Sequence, residues 1–152
     1  MTPQGLAGRV LADRLAIVDR HLAEIRDLPL QDRVAFFADG RNTAAAESFL
    51  RRSLEALFDV GRHILARAFG EGVGEYKEIA KKLGGRAVLK EPEAALLAVL
   101  AGYRNRLVHF YHEISKDELL EICSRQLGDI ETVRDAFRRW IGENPDKIDR
   151  NL

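Results

Sequence analysis

The stretch NTAAAESFLRRSLEALFDVGRHIL, residues 42–65, decides the fold of this chain. Asn42 and Thr43 are both good helix caps, so we expect a helix to begin there. The glycine-rich segment FGEGVG, residues 69–74, is expected to end it. The apolar and small residues recur at intervals of three and four and therefore share one helical face: Ala46, Phe49, Leu50, Leu54, Leu57, Phe58, Gly61, Ile64 and Leu65. A long helix with one apolar face needs other helices to cover it, which predicts a helical bundle.

Three further long helices follow from the same periodicity. The first spans about residues 5–28 and is stopped by Pro29. The third begins at Pro92, a residue favoured in the first turn of a helix. The fourth begins after Ser115, because Ser115 and Glu118 form a capping-box pattern ahead of an apolar run.

The remaining segments are short. QDRVAFFADG and EYKEIAKKL predict short helical turns, and no segment predicts a strand. We therefore expect an all-α fold, a bundle of four long helices plus short helical turns. Residues 1–142 should form a single domain, followed by a polar C-terminal tail at residues 143–152.

Composition narrows the class of protein. An apolar fraction of 46% is too high for a disordered chain, and 24 basic residues against 24 acidic ones leave no overall field to attract nucleic acid. The single cysteine, Cys123, excludes an internal disulfide. No apolar run approaches the roughly 18 residues of a membrane span, and no signal peptide is visible. We expect a cytoplasmic protein with no membrane association.

The stretch RNRLVHFYHEI, residues 104–114, contains two arginines, two histidines and a tyrosine at the point where the third helix should end. Asn105 and His109 are four residues apart and share a helical face, whereas Arg104 lies about 140° from His109 on an ideal helix. A histidine exchanges protons near neutral pH, and an arginine binds phosphate oxygens and stabilises developing negative charge. If the helix unwinds near His109, the two side chains can converge.

This set of residues suits cleavage of RNA without a metal ion. The imidazole takes the proton of a ribose 2′-hydroxyl, which then attacks the adjacent phosphate, and the arginine stabilises the pentavalent transition state. Asn105 can fix the imidazole tautomer or contact a ribose hydroxyl. One histidine cannot serve as base and acid in a single concerted step, but two copies facing each other across a two-fold axis can.

The segment RNRLVHFY resembles the R-x4-H-x-Y signature of HepT-like toxins, ribonucleases of the HEPN superfamily from prokaryotic toxin–antitoxin systems. The resemblance extends in helix order and spacing over roughly Asn42 to Trp140. It implies a homodimeric RNA endonuclease whose two motifs meet in one cleft. By this resemblance Arg104 and His109 are catalytic and Asn105 supports them.

Two further residues are candidate supporting residues by position alone. Arg106 would add to a phosphate-binding patch, and His112 would assist from the turn that follows His109. Each of them could equally have no functional role, since a solvated arginine and a surface histidine are common at the end of a helix.

The resemblance also implies a protein partner. This is a minimal nucleotidyltransferase antitoxin, similar to MntA, which uses ATP to attach AMP to the motif tyrosine, here Tyr111. A bulky anionic group two residues from His109 would occupy the place of an RNA phosphate. No cofactor and no metal are expected for the chain itself, and the RNA could be a transfer RNA or a messenger RNA.

Other readings of the same residues stay open. The chain could be a catalytically inactive helical adaptor that partners a minimal nucleotidyltransferase, or a plain dimerisation bundle. His109 could be a histidine favoured by the helix C-terminal dipole, and a zinc site from His109 and His112 lacks an evident third ligand. His63 could face the motif from the second long helix, and His21 is expected on the surface.

Overall fold

The computed structural model describes residues 5–109 and 114–149. Its elements run β1(Leu6–Ala7), α1(Gly8–Arg26), α2(Arg33–Ala38), α3(Gly40–Phe69), α4(Tyr76–Gly85), α5(Glu91–Val108), α6(Lys116–Arg125), α7(Leu127–Glu143), a 3-10 turn at Pro145–Lys147, and β2(Ile148–Asp149). The predicted helical bundle is confirmed.

Helix α3 is the centre of the bundle, and all six other helices of the described chain pack against it. Leu50, Leu54, Leu57, Phe58 and Leu65 of its apolar face have no solvent exposure. The helix ends where the glycines predict, because Gly70 adopts a left-handed conformation with φ of 68° and its N–H bonds back to the carbonyl of Ala66.

The start of α3 differs from the prediction. The helix begins at Gly40, and the Asp39 carboxylate caps it by accepting from the N–H of Arg41 at 3.0 Å. The amide group of Asn42, expected as a cap, instead donates to the carbonyl of Phe36 at 3.2 Å. The prediction of Asn42 or Thr43 as the cap is therefore wrong, because Asp39, which is also a good capping residue, begins the helix earlier.

The predicted fourth helix is divided into α6 and α7. Its capping serine is confirmed, since Ser115 Oγ accepts from the N–H of Glu118. The break falls at Gln126, whose φ of −116° leaves the helical region, and whose side-chain oxygen accepts a bond from the Tyr103 hydroxyl at 2.5 Å. Apolar periodicity continues across this break, which is why the sequence indicated one helix.

The prediction of no strands is wrong for two short segments. Leu6–Ala7 and Ile148–Asp149 pair as a parallel two-stranded sheet, with Leu6 opposite Ile148. Leu6 is fully buried. Ile148–Asp149 of the polar tail is therefore paired with the segment just before α1, a contact between distant parts of the chain that no local pattern signals.

Candidate active site

The last turn of α5 carries the described residues of the motif. The helix ends at Val108, as predicted, and His109 is its C-cap, with an extended backbone and an N–H that bonds to the Asn105 carbonyl at 2.9 Å. His109 is exposed to solvent. The side chain is thus positioned by the helix end and open to a substrate, as a general base requires.

Arg104 has a different environment, one turn back along α5. Its side chain is only 20% exposed and lies against α3 and α4. The guanidinium carbon is 4.0 Å from the centroid of the Tyr76 ring, and Nε is 4.0 Å from Oε1 of Glu55. Nε is buried and has no hydrogen-bond partner among the described residues. Arg104 is therefore a partly desolvated cation with part of its hydrogen-bonding capacity unused.

Asn105 contacts Arg104 in this structure. Nη1 of Arg104 lies 3.5 Å from Oδ1 of Asn105, at the outer limit of a hydrogen bond. The two residues are neighbours in sequence, so Asn105 helps to hold the guanidinium at the end of α5. Its predicted contact with an imidazole or a ribose stays a prediction.

Arg106 is joined to α6. Nη1 donates to Oε2 of Glu118 at 2.8 Å, and Nη2 donates to Oε1 of the same carboxylate. These hydrogen bonds raise the pKa of Arg106 and lower the pKa of Glu118. Because the Glu118 carboxylate bonds to Arg106, only one of the two bonds of the predicted capping box is formed, the one from the N–H of Glu118 to Ser115 Oγ. In this structure Arg106 therefore joins the last turn of α5 to the first turn of α6.

Tyr111 and His112, the predicted modification site and the second supporting histidine, lie outside the described residues. Their roles stay predictions.

The two remaining histidines are away from the motif. Nε2 of His63 accepts the N–H of Ala7 in β1 at 3.0 Å, so this residue holds the N-terminal strand on α3 and does not face the motif. His21, expected on the surface, is 5% exposed and stacks on Phe49 at 5.6 Å. An imidazole has enough apolar surface to join a core, which explains the wrong expectation for His21.

Sequence reasoning missed Tyr76 and Glu55. Glu55 lies on α3, Tyr76 opens α4, and Arg104 lies near the end of α5, so only the packing of three helices brings them together. No spacing along the chain signals such a contact.

The structure also bears on other classes of site. Cys123 is buried, and this raises its pKa to about 12, so it behaves as a small apolar residue. Within residues 5–109 and 114–149, no three or more His, Cys, Asp or Glu side chains are grouped as metal ligands. No helix in that part of the chain is long and apolar enough to cross a membrane.

A family model described as Ribonuclease HepT-like matches residues 18–137, most of the chain and all of the described motif residues. The chain belongs to the HepT-like ribonuclease family. The resemblance noted from RNRLVHFY is therefore confirmed, and the family match extends it to the C-terminal half of α1. No curated protein sequence matches the chain significantly.

Solved structures with the same fold agree with the family. A tri-AMPylated HEPN toxin from Shewanella oneidensis, in complex with an MNT antitoxin, superposes with a TM-score of 0.77 at 22% identity, covering 86% of this chain and 97% of that one. A toxin–antitoxin structure with AMP-PNP gives a TM-score of 0.74 at 20% identity, covering 84% of this chain and 97% of that one. YutE from Bacillus subtilis, a cytosolic protein of unknown function, gives 0.75 at 18% identity and covers 96% of this chain and 99% of its own. At these identities the structures establish the HEPN-like helical fold.

Proposed function

We propose that this HepT-like protein is a metal-independent endoribonuclease toxin that acts as a homodimer. The observation that carries the proposal is the end of α5, where an exposed His109 follows, within five residues, a guanidinium held against α3 and α4. A candidate proton acceptor and a candidate phosphate-binding cation on one short stretch of backbone support the proposal.

The reaction uses these two groups in turn. The imidazole of His109 takes the proton of a ribose 2′-hydroxyl, and the 2′-oxygen attacks the neighbouring phosphorus. Arg104 stabilises the charge that develops on the phosphate oxygens. The bond from phosphorus to the 5′-oxygen breaks, the leaving oxygen takes a proton from the imidazolium of the second copy, and the products are a 2′,3′-cyclic phosphate and a 5′-hydroxyl.

The surface of α5 supports a second copy of the chain. This helix is rich in apolar residues, yet only Leu97, Leu100 and Ala101 are buried in the described chain. Val99 is 50% exposed and Val108 is 43% exposed. Exposed apolar residues on the helix that carries the motif favour an interface there, because burying them releases water.

Neutralisation by AMPylation of Tyr111 is the second part of the proposal. Tyr111 is two residues beyond His109, and a related toxin of the same fold is AMPylated and bound to an MNT antitoxin. A nucleotidyltransferase antitoxin similar to MntA is thus the expected partner. AMP at this position would bring a negative phosphate into the cleft and repel the RNA backbone.

The test is cleavage of total transfer RNA and of a model messenger by the purified protein in EDTA. We expect products with 2′,3′-cyclic phosphate ends, lost in His109→Ala and strongly reduced, but still measurable, when Arg104 is replaced. Arg125→Ala is the matched control, since Arg125 is a highly exposed arginine whose ion pair among the described residues is with Glu121 of the same helix. Intact mass shows whether Tyr111 already carries AMP.

The outcomes separate the candidate functions. Cleavage that survives His109→Ala contradicts the assigned chemistry. If the unmodified dimer cleaves neither RNA, the nuclease function is overturned and the helical adaptor for a nucleotidyltransferase takes its place.

A further inference from the structure

Arg104 is surrounded by groups to which the proposed chemistry gives no role. They are the Tyr76 ring at the start of α4 and the Glu55 carboxylate on α3. We propose that Tyr76 and Glu55 are positioning residues, which hold the Arg104 guanidinium in the orientation that binds the scissile phosphate. This inference rests on the proposed function.

Tyr76 supplies a surface on which the guanidinium rests. A separation of 4.0 Å between guanidinium carbon and ring centroid is well inside the range of about 6 Å for cation–π attraction. The attraction favours a cation over the ring, so it opposes rotation of the Arg104 side chain towards solvent.

The Tyr76 ring is itself held firmly in place. The fully buried Phe58 packs edge-on against it, with ring centroids 4.8 Å apart. The guanidinium of Arg62 lies 5.4 Å from its centroid, and Nε of Arg62 donates to the carbonyl of Val73 just before α4. A ring held by Phe58 and Arg62 can in turn hold the guanidinium of Arg104.

Glu55 attracts the Nε side of the Arg104 guanidinium. Its Oε1 is 4.0 Å from Nε of Arg104, too long for a hydrogen bond but close enough for strong attraction in a partly buried setting. The same oxygen accepts from Arg51 at 3.2 Å, which holds the carboxylate on α3. Buried Nε therefore faces a negative charge.

The terminal nitrogens remain available to a ligand. Nη1 has only the long contact to Asn105, and Nη2 has no hydrogen-bond partner among the described residues. Nε of the guanidinium faces Glu55, and one face of the group lies on the Tyr76 ring. The terminal nitrogens Nη1 and Nη2 are therefore the ones that the guanidinium presents to an incoming phosphate. Such prior orientation reduces the entropy lost when substrate binds.

The main experiment compares Tyr76→Leu with Tyr76→Phe in single-turnover RNA cleavage. The phenylalanine variant keeps the aromatic face and should cleave within about twofold of wild type. The leucine variant loses that face and should be slower by about tenfold, a typical effect for a partly buried cation–π contact. Glu55→Gln should also be slower, while Glu121→Gln, on an exposed carboxylate of α6, should match wild type.

A double-mutant cycle with Arg104→Gln separates positioning from general structural damage. If Tyr76 acts through Arg104, Tyr76→Leu should have little further effect once the guanidinium is gone. A purely structural role would slow both backgrounds equally. As a measurement on folded protein, the δ-protons of Arg104 should show an upfield ring-current shift by NMR in wild type and Tyr76→Phe.

The failures are distinguishable. A wild-type protein that cleaves neither RNA overturns the proposed function and this inference with it. Cleavage by wild type that is unaffected by Tyr76→Leu, or reduced equally in both Arg104 backgrounds, overturns the inference alone. Absence of the ring-current shift in wild type also overturns it, even if Tyr76→Leu fails to fold.

Discussion

Arg106 and Glu118 form a two-pronged ion pair that joins the last turn of α5 to the first turn of α6. The two residues stand on either side of the segment that contains Tyr111, so their pair fixes the distance between the ends of that segment. Both side chains are more than a third exposed, and solvent therefore weakens their attraction.

Glu118→Gln should lower the free energy of unfolding by about 0.5 kcal/mol at pH 7, the usual size for a partly exposed pair. The pKa of Glu118 is held below its ordinary value of 4.5 by the bonds from Arg106. The contribution is therefore fully present above pH 4.5 and is lost as the pH falls through the lowered pKa. Denaturant unfolding at pH 7 and pH 3 checks this, with Glu121→Gln as control. A difference that persists at pH 3 would contradict an ionic origin.

Val99→Glu should prevent formation of the proposed homodimer and abolish RNA cleavage. The substitution replaces an apolar residue of α5, which is already half exposed in a single chain, with a charged one. It therefore leaves the fold intact and acts only where a second copy would cover it. Sedimentation and cleavage assays measure the two effects.

Val34→Glu is the matched control for that substitution, because Val34 lies on α2 and is 81% exposed. The control should remain dimeric and active. If Val99→Glu also remains a dimer with full activity, the interface does not involve this part of α5.

Gly61→Ala should destabilise the bundle by about 1–3 kcal/mol, the usual cost of overpacking. Gly61 lets α4 and α7 approach α3 closely. An added Cβ would lie 2.7 Å from Cδ1 of Leu83 and 3.3 Å from Cζ of Phe137, and both of those side chains are fully buried. Gly142→Ala, where an added Cβ meets nothing within 4 Å, should be neutral or slightly stabilising. Equal thermal stability of the two variants would refute this account of Gly61.

The stability of the protein should fall as the pH drops below about 6.5 through His63. Burial, with a smaller effect of Arg67, lowers the pKa of His63 from its ordinary value of 6.5. The unfolded chain therefore binds a proton before the folded one does, and protonation removes the acceptor for the Ala7 N–H. Unfolding measured at pH 7.5 and pH 5 should show a smaller loss for His63→Gln than for wild type. An identical loss in both proteins would exclude His63 as the cause.

The sequence by itself determined the helical class and the location of the motif. The three-and-four spacing from Ala46 to Leu65 predicts α3 because one apolar face must be buried. Pro92, Ser115 and the glycines after Phe69 act within a turn or two of their own position, so the ends that they set are readable locally. The motif RNRLVHFY identified the family through residue types that neither a core nor a solvated face requires.

The tertiary structure alone decided what surrounds the motif and how the chain ends meet. Tyr76 and Glu55 lie 28 and 49 residues before Arg104 along the chain, and they reach it only when α3, α4 and α5 pack. Likewise, β1 and β2 pair although almost the whole chain separates them in sequence. Local sequence fixes backbone preferences and apolar faces. Long-range contacts depend on how several apolar faces are buried against one another at once, and no single segment encodes that arrangement.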